Sequence, residues 1–271
     1  MIKKAIFTAG LVSTLLVGCS TTKTHQTPPT TTYSNIELNG KLYAAIFQQS
    51  TAEYQALCLQ AFNIATLQLD LLLQENHTKP LAIVTDIDET FLDNSPYAVQ
   101  MAREGKVFDE ATWNTWTSKG NALPVAGSLD FFKYAASKGV EIFYITNRSQ
   151  ADRKGTLENL KKYDFPFSDD SHLIVRETES SKETRRQKVS ETHEIVMLLG
   201  DNLSDFSNAF DKKTMSERLD NVYKNASLFG KKFIVLPNSG YGDWESAIFD
   251  YKRDWTTSQK DSIYNSKLQG F

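Results

Sequence analysis

Five short apolar runs punctuate the chain: LAIVT from position 81, VEIFYIT from 140, HLIV from 172, EIVMLLG from 194 and FIVLP from 233. Each keeps its apolar character over four to seven residues instead of alternating with polar ones, the signature of strands buried on both faces of a parallel sheet. Between them, LDFFKYAASKG, ended by Gly139, and QADRKGTLENLKKYDF carry helical spacing. Strands alternating with helices predict an α/β layered fold with a central parallel sheet. Ahead of the first strand, EYQALCLQAFNIATLQLDLLLQ predicts an N-terminal helix, with Leu57, Ala61, Ile64 and Leu71 recurring on one face. Cys58 in that helix reads as a small buried hydrophobe. Residues 95–124, with Trp113 and Trp116, form a long interruption after the first strand and predict a small cap-like insertion, Trp116 being assigned to the core.

The N-terminus MIKKAIFTAGLVSTLLVGCS places Lys3 and Lys4 before an apolar stretch too short to span a bilayer, the pattern of a signal peptide over residues 1–18. LVGC resembles a bacterial lipobox, which implies cleavage before Cys19 and attachment of fatty acyl chains such as palmitate there. Several acyl chains make a stable anchor where one is marginal. Ser20 after the cysteine favours the outer membrane by the enterobacterial sorting rule. With Cys19 lipidated, Cys58 is the remaining thiol and no internal disulfide forms. The tether over residues 19–35 holds seven threonines and two prolines. Fully extended, it reaches roughly 50 Å at about 3.3 Å per residue. Residues 36–271 are then the globular domain, of a size to fold around one core.

Composition changes the picture in one respect. A formal net charge of -3 and a pI near 5.9 give no support for broad binding to nucleic-acid polymers or acidic lipid, so any affinity for phosphate is local. In a parallel sheet the ligand site lies at the carboxyl ends of the strands. The first predicted strand ends in Asp86 and Asp88, the second in Thr146 and Asn147, and the fourth in Asp201, with Asp205 at the start of a helix. Lys182 lies in SSKETRRQK before that fourth strand, among the basic residues Arg185, Arg186 and Lys188. Clustered carboxylates repel one another unless a cation sits among them, and oxygen ligands select Mg²⁺ or Ca²⁺. The histidines at 25, 77, 172 and 193 form no zinc pattern, and DIDETFLDN carries Phe91 where an EF-hand requires glycine.

These motifs, DIDET, ITN, Lys182 and GDNLSD in that order, resemble the haloacid dehalogenase superfamily. With LDNSPY, FDEATWNTW and LPNSGYGDWE they are most similar to its class C non-specific acid phosphatases, the bacterial outer-membrane lipoprotein e family of 5′-nucleotidases. The resemblance implies a Mg²⁺-dependent acid phosphatase working through an aspartyl-phosphate. Asp86 is then the nucleophile and Asp88 the general acid and base. Asp86, Asp201 and the backbone carbonyl of Asp88 would hold the metal, with Asp205 accepting hydrogen bonds from its water. Thr146 and Lys182 would bind and stabilise the phosphoryl group. Arg148 and Asn94 have weaker claims, Asn94 being equally suited to a turn.

Trp113, Tyr241 and Trp244 lie in segments that resemble the family's aromatic slot, where a nucleobase or the ring of nicotinamide mononucleotide stacks, with Asn147 a further substrate contact. Trp244 serves a core role equally well. Alternative readings are a phosphomutase or a phosphatase for sugar phosphates, and a surface lipoprotein with a binding or haem-uptake role. No C-x-x-C-H motif supports the last. The physiological substrate, the oligomeric state and the side of the membrane are left open.

Overall fold

The computed structural model describes residues 35–271. The expected signal peptide, Cys19 and the expected tether up to residue 34 lie outside the described residues. The chain enters through two helices, α1 (Ile36–Ser50) and α2 (Ala52–Leu72), then β1 (Leu81–Thr85), β2 (Leu92–Asp93), α3 (Ser95–Arg103), α4 (Glu110–Thr117) and β3 (Leu123–Pro124). It continues through α5 (Ser128–Ser137), β4 (Glu141–Ile145), α6 (Arg153–Lys162), β5 (Leu173–Ile174), α7 (Glu183–Thr192) and β6 (Glu194–Gly200). It closes with α8 (Met215–Lys224), β7 (Phe233–Val235), α9 (Asp243–Ile248) and α10 (Thr257–Lys267).

The predicted parallel sheet is present, with strand order β5-β4-β1-β6-β7 and every pairing parallel. Each of the five apolar runs contributes one of its strands. Their continuous apolar character has a direct cause, since successive side chains point to opposite faces and both faces are covered. Ile83, Ile142, Tyr144, Met197 and Leu199 pack on the side of α2 and α5, with Phe62, Leu69, Phe131 and Phe132. Ala82, Val84, Phe143, Ile145 and Leu198 pack on the other side with Val189 of α7.

The inward face of α2 differs from the sequence expectation. Leu57 and Leu71 are 43% and 51% exposed, while the buried positions are Tyr54, Cys58, Ala61, Phe62, Ala65 and Leu69. Small residues let the helix approach the sheet closely, so the leucine-rich stripe is not the contact stripe. Cys58 is fully buried, as its sequence context indicated.

The interruption at 95–124 folds as α3 and α4 and closes on a two-stranded antiparallel ladder of β2 with β3, pairing Leu92 with Pro124. It is held to α1 by hydrogen bonds from Gln48 to Asp93 at 2.7 Å and from Gln49 to Ser95 at 2.8 Å. Backbone approach fixes its far side: a Cβ on Gly155 of α6 would lie 2.3 Å from the Thr117 carbonyl oxygen at the end of α4. The C-terminal helix returns to the beginning of the domain. Asp261 of α10 accepts hydrogen bonds from the backbone N–H groups of Asn35 and Ile36 at 2.7 and 2.8 Å, capping α1 with a carboxylate.

Candidate active site

Because β4, β1 and β6 are adjacent and parallel, the residues that follow them emerge at one edge of the sheet: Thr146 after β4, Asp86 after β1 and Asp201 after β6. Asp86 is buried, and its backbone N–H donates to the carbonyl of Leu199 at 3.0 Å, continuing the sheet past the end of β1. Oxygens of Asp86, Asp201 and Asp205 all lie within 4.8 Å of one another. Asp205 differs in context from the sequence expectation. It ends a single 3-10 turn, Leu203–Asp205, and caps that turn by accepting from the N–H of Asn202 at 3.0 Å. Gly200 makes the turn fit, since a Cβ there would sit 2.5 Å from an Asp205 carboxylate oxygen.

Lys182 stands immediately ahead of α7 rather than within it, and its side chain is buried. Its ammonium donates to Asp86 and, at 2.6 Å, to Asp205, so the structure brings Lys182 together with these aspartates. Burial pushes the Asp86 carboxyl upward against the pull of Lys182, while Asp205 and Asp88 add repulsion in the same upward direction. Asp201 is also raised, by burial and then by Asp205 and Asp86. One ammonium among these carboxylates leaves an excess of negative charge, and a cluster of buried carboxylate oxygens is the donor set that a hard divalent cation such as Mg²⁺ takes. Thr90 and Asn238 complete the surroundings, donating to Asp201 at 3.3 and 2.7 Å.

Asp88 faces the cap and is gripped by a network that the sequence only hinted at. Arg148, fully enclosed, donates through Nε and Nη2 to Asp88 Oδ1 at 3.0 and 2.7 Å. Asn94 adds a third bond to the same oxygen at 2.8 Å, so its position is set by the site and not by a turn alone. Trp116, assigned to the core from its sequence, is partly buried and packs against the core, while its indole N–H donates to Asn94 Oδ1 at 2.8 Å. Thr146 is fully buried, and its hydroxyl oxygen accepts the N–H of Arg148 at 3.1 Å. Asn147 is exposed, its side-chain oxygen held by Arg185 at 2.7 Å. Arg185 also donates to the Thr146 carbonyl at 2.6 Å, which takes it out of the class of solvated helix charges.

The aromatic residues fall into two groups, one on α4 and one after β7. Trp113 of α4 is partly buried, lies edge-on to Tyr97 with ring centroids 5.0 Å apart, and carries the Arg148 guanidinium 5.7 Å from its ring centre. Tyr241 and Trp244, 37% and 38% exposed, follow β7, and the Trp244 indole N–H donates to the Tyr241 carbonyl at 3.1 Å. Glu89, to which the sequence assigned no role beyond the clustered charge of DIDET, is buried, with its carboxyl against the Tyr241 hydroxyl. It accepts the tyrosine hydroxyl on one carboxyl oxygen and the Asn94 backbone N–H, at 2.8 Å, on the other. Burial and the neighbouring Asp88 push its carboxyl up to about 8.

Comparison with known proteins agrees with this arrangement. The family model for the HAD superfamily, subfamily IIIB (Acid phosphatase), matches residues 4–244. The structure of the class C acid phosphatase from Bacillus anthracis superposes with a TM-score of 0.83 at 40% identity, covering 87% of this chain and 99% of that one. The tungstate-bound form of the B. anthracis enzyme gives the same TM-score of 0.83 and covers 86% and 98%. Among curated proteins, Acid phosphatase 1 of Solanum lycopersicum is 32% identical over 130 residues, 45% of this chain and 50% of that protein. A stem 31 kDa glycoprotein of Glycine max is 30% identical over 125 residues, 44% and 49% respectively. The chain thus spans about half the length of the curated relatives it matches. With the ordered motifs, the sheet that gathers them and the match over most of its length, the chain belongs to the acid phosphatases of HAD subfamily IIIB.

Proposed function

We propose that this protein is a Mg²⁺-dependent acid phosphatase that hydrolyses 5′-nucleotides and related phosphomonoesters, such as nicotinamide mononucleotide, through an aspartyl-phosphate on Asp86. We further propose that it works at the bacterial outer membrane, anchored by lipid on Cys19. The observation that carries the chemistry is the pairing of buried Asp86 with buried Lys182 at the carboxyl edge of the sheet, within reach of Asp201 and Asp205. A carboxylate so placed has little structural use, because burying several acidic groups together is costly unless charge is to be received there.

In this reading the Asp86 carboxylate attacks phosphorus, the phosphorus–oxygen bond of the ester breaks, and Asp88 gives its proton to the departing alcohol. Asp88 then takes a proton from water, whose oxygen attacks phosphorus and frees Asp86. Arg148 and Asn94 hold Asp88 on the cap side, where the leaving group departs and water later enters. The Thr146 hydroxyl accepts from Arg148, which leaves its own proton to donate to a phosphoryl oxygen, and Lys182 stabilises the charge on the transferring group. Asp86, Asp201 and the carbonyl of Asp88 would hold Mg²⁺, with Asp205 beside them. Bound there, the ion offsets repulsion between the nucleophile and the phosphate dianion. Tungstate in the B. anthracis relative is a tetrahedral oxyanion like phosphate and supports a phosphoryl pocket in this fold. The half-open rings of Trp113, Tyr241 and Trp244 support a slot for the base or nicotinamide ring, with Asn147, exposed after β4, a further substrate contact in this reading.

Asp86→Asn keeps the shape of the side chain and removes the nucleophile. Turnover of a 5′-nucleotide should fall by about three orders of magnitude or more, with the circular dichroism spectrum unchanged and no acid-stable phosphoenzyme trapped. Near-normal turnover in that variant would refute the covalent mechanism.

A further inference from the structure

We infer that Glu89 is a positioning residue that sets the preference for nucleotides by fixing Tyr241 as a wall of the slot; this rests on the aromatic-slot reading above. Three observations converge on it. Glu89 is 2% exposed yet, among the described residues, carries no cation partner; its carboxyl accepts from the Tyr241 hydroxyl and the Asn94 backbone N–H. Those partners belong to different segments, since Asn94 precedes α3 and bonds Asp88 and Trp116, whereas Tyr241 lies in the loop after β7. Finally, Glu89 has φ of 56°, a left-handed conformation that a non-glycine residue holds only where its surroundings fix it.

The consequence for Tyr241 is geometric. The loop backbone is held by Trp244 at the Tyr241 carbonyl and by Lys41 at the Gly240 carbonyl, Gly242 at φ of 149° adopts a conformation that side chains avoid, and the hydroxyl end of the Tyr241 ring is fixed by Glu89. Anchoring the hydroxyl end on Glu89 fixes the ring while leaving it partly open to solvent. A ring held in place before the ligand arrives stacks at a lower entropic cost than one that must be ordered on binding. Small aliphatic phosphomonoesters do not use the wall and do not benefit. Glu89 therefore acts through Tyr241, on the part of the substrate beyond the phosphate.

The test is the ratio of KM for a 5′-nucleotide to KM for glycerol phosphate, measured with Mg²⁺ present. Tyr241→Phe deletes only the hydroxyl, and the ratio should rise about fivefold, the factor carried by one net hydrogen bond. Glu89→Ala should raise it at least as much, and Glu89→Gln, which still offers an acceptor to Asn94 and a donor to the phenol oxygen, should restore most of the wild-type ratio. A wild-type ratio in Tyr241→Phe, together with a raised ratio in Tyr241→Ala, overturns the inference while the slot stands. An unchanged ratio in Tyr241→Ala overturns the slot and the inference together. Tyr241→Phe leaves the buried carboxyl in place, so the result does not depend on whether Glu89→Ala folds.

Discussion

Glu89, Asp86 and Asp201 share one physical condition: each carboxyl is buried among others of its kind, and each is pushed upward from its ordinary range. For a group whose folded-state pKa is raised, the folded form holds its proton after the unfolded form has lost it. Stability is then fully present below the unfolded value and falls as pH rises toward the folded one. For Glu89 that window runs from 4.5 to about 8. The metal-free protein should therefore lose on the order of a few kcal/mol between pH 5 and 8. Mg²⁺, which favours the ionised forms of its ligands, should restore stability most at the upper end. Differential scanning calorimetry with and without chelator should show the gap between the two melting temperatures widening with pH. A constant gap, with a flat metal-free curve, would mean that these carboxyls are not charged at the expense of the fold.

At the scale of elements, what the sequence reveals depends on whether a residue's role is local. The five strands were legible because burial on both faces leaves a continuous apolar run. The aspartates were legible because each sits where a run ends. Arg185 and Glu89 were not, and Arg148 drew only a weaker claim, because their partners lie 39, 152 and 60 residues away in sequence. The inward face of α2 was misread for a related reason: leucines signal burial by transfer energy alone, but a helix lying close to a sheet selects Ala61 and Ala65 at the contact.

Gly200 gives a prediction on the same scale, because the end of β6 and the turn carrying Asp205 meet without room for a methyl group. Gly200→Ala should displace the turn from Lys182, lowering stability by about 1–3 kcal/mol and raising the Mg²⁺ concentration needed for half-maximal activity. A Mg²⁺ titration and a urea melt both indistinguishable from wild type would show that the turn yields freely.

For the whole molecule, the start of the described domain is pinned by its own C-terminal helix, Asp261 of α10 holding the first residues of α1. The proposed anchor lies beyond this point. Cys19→Ala should abolish incorporation of radiolabelled palmitate and release the protein from membranes washed with alkaline carbonate, while kcat on a 5′-nucleotide stays within about twofold of wild type, lipid and active site being independent. Continued palmitate labelling would place the lipid on another residue.

Cys58 lies on the buried face of α2 with no exposed surface and, among the described residues, no disulfide partner. Burial also pushes its thiol up to about 11, so the reactive thiolate is scarce as well as hidden. In an oxidising compartment such a residue records the history of the fold: it stays reduced for as long as the molecule stays closed, and crosslinks or modifications accumulate only through opening of the core. The fraction of aged protein carrying an oxidised Cys58 is then a running count of unfolding events, kept by the protein itself.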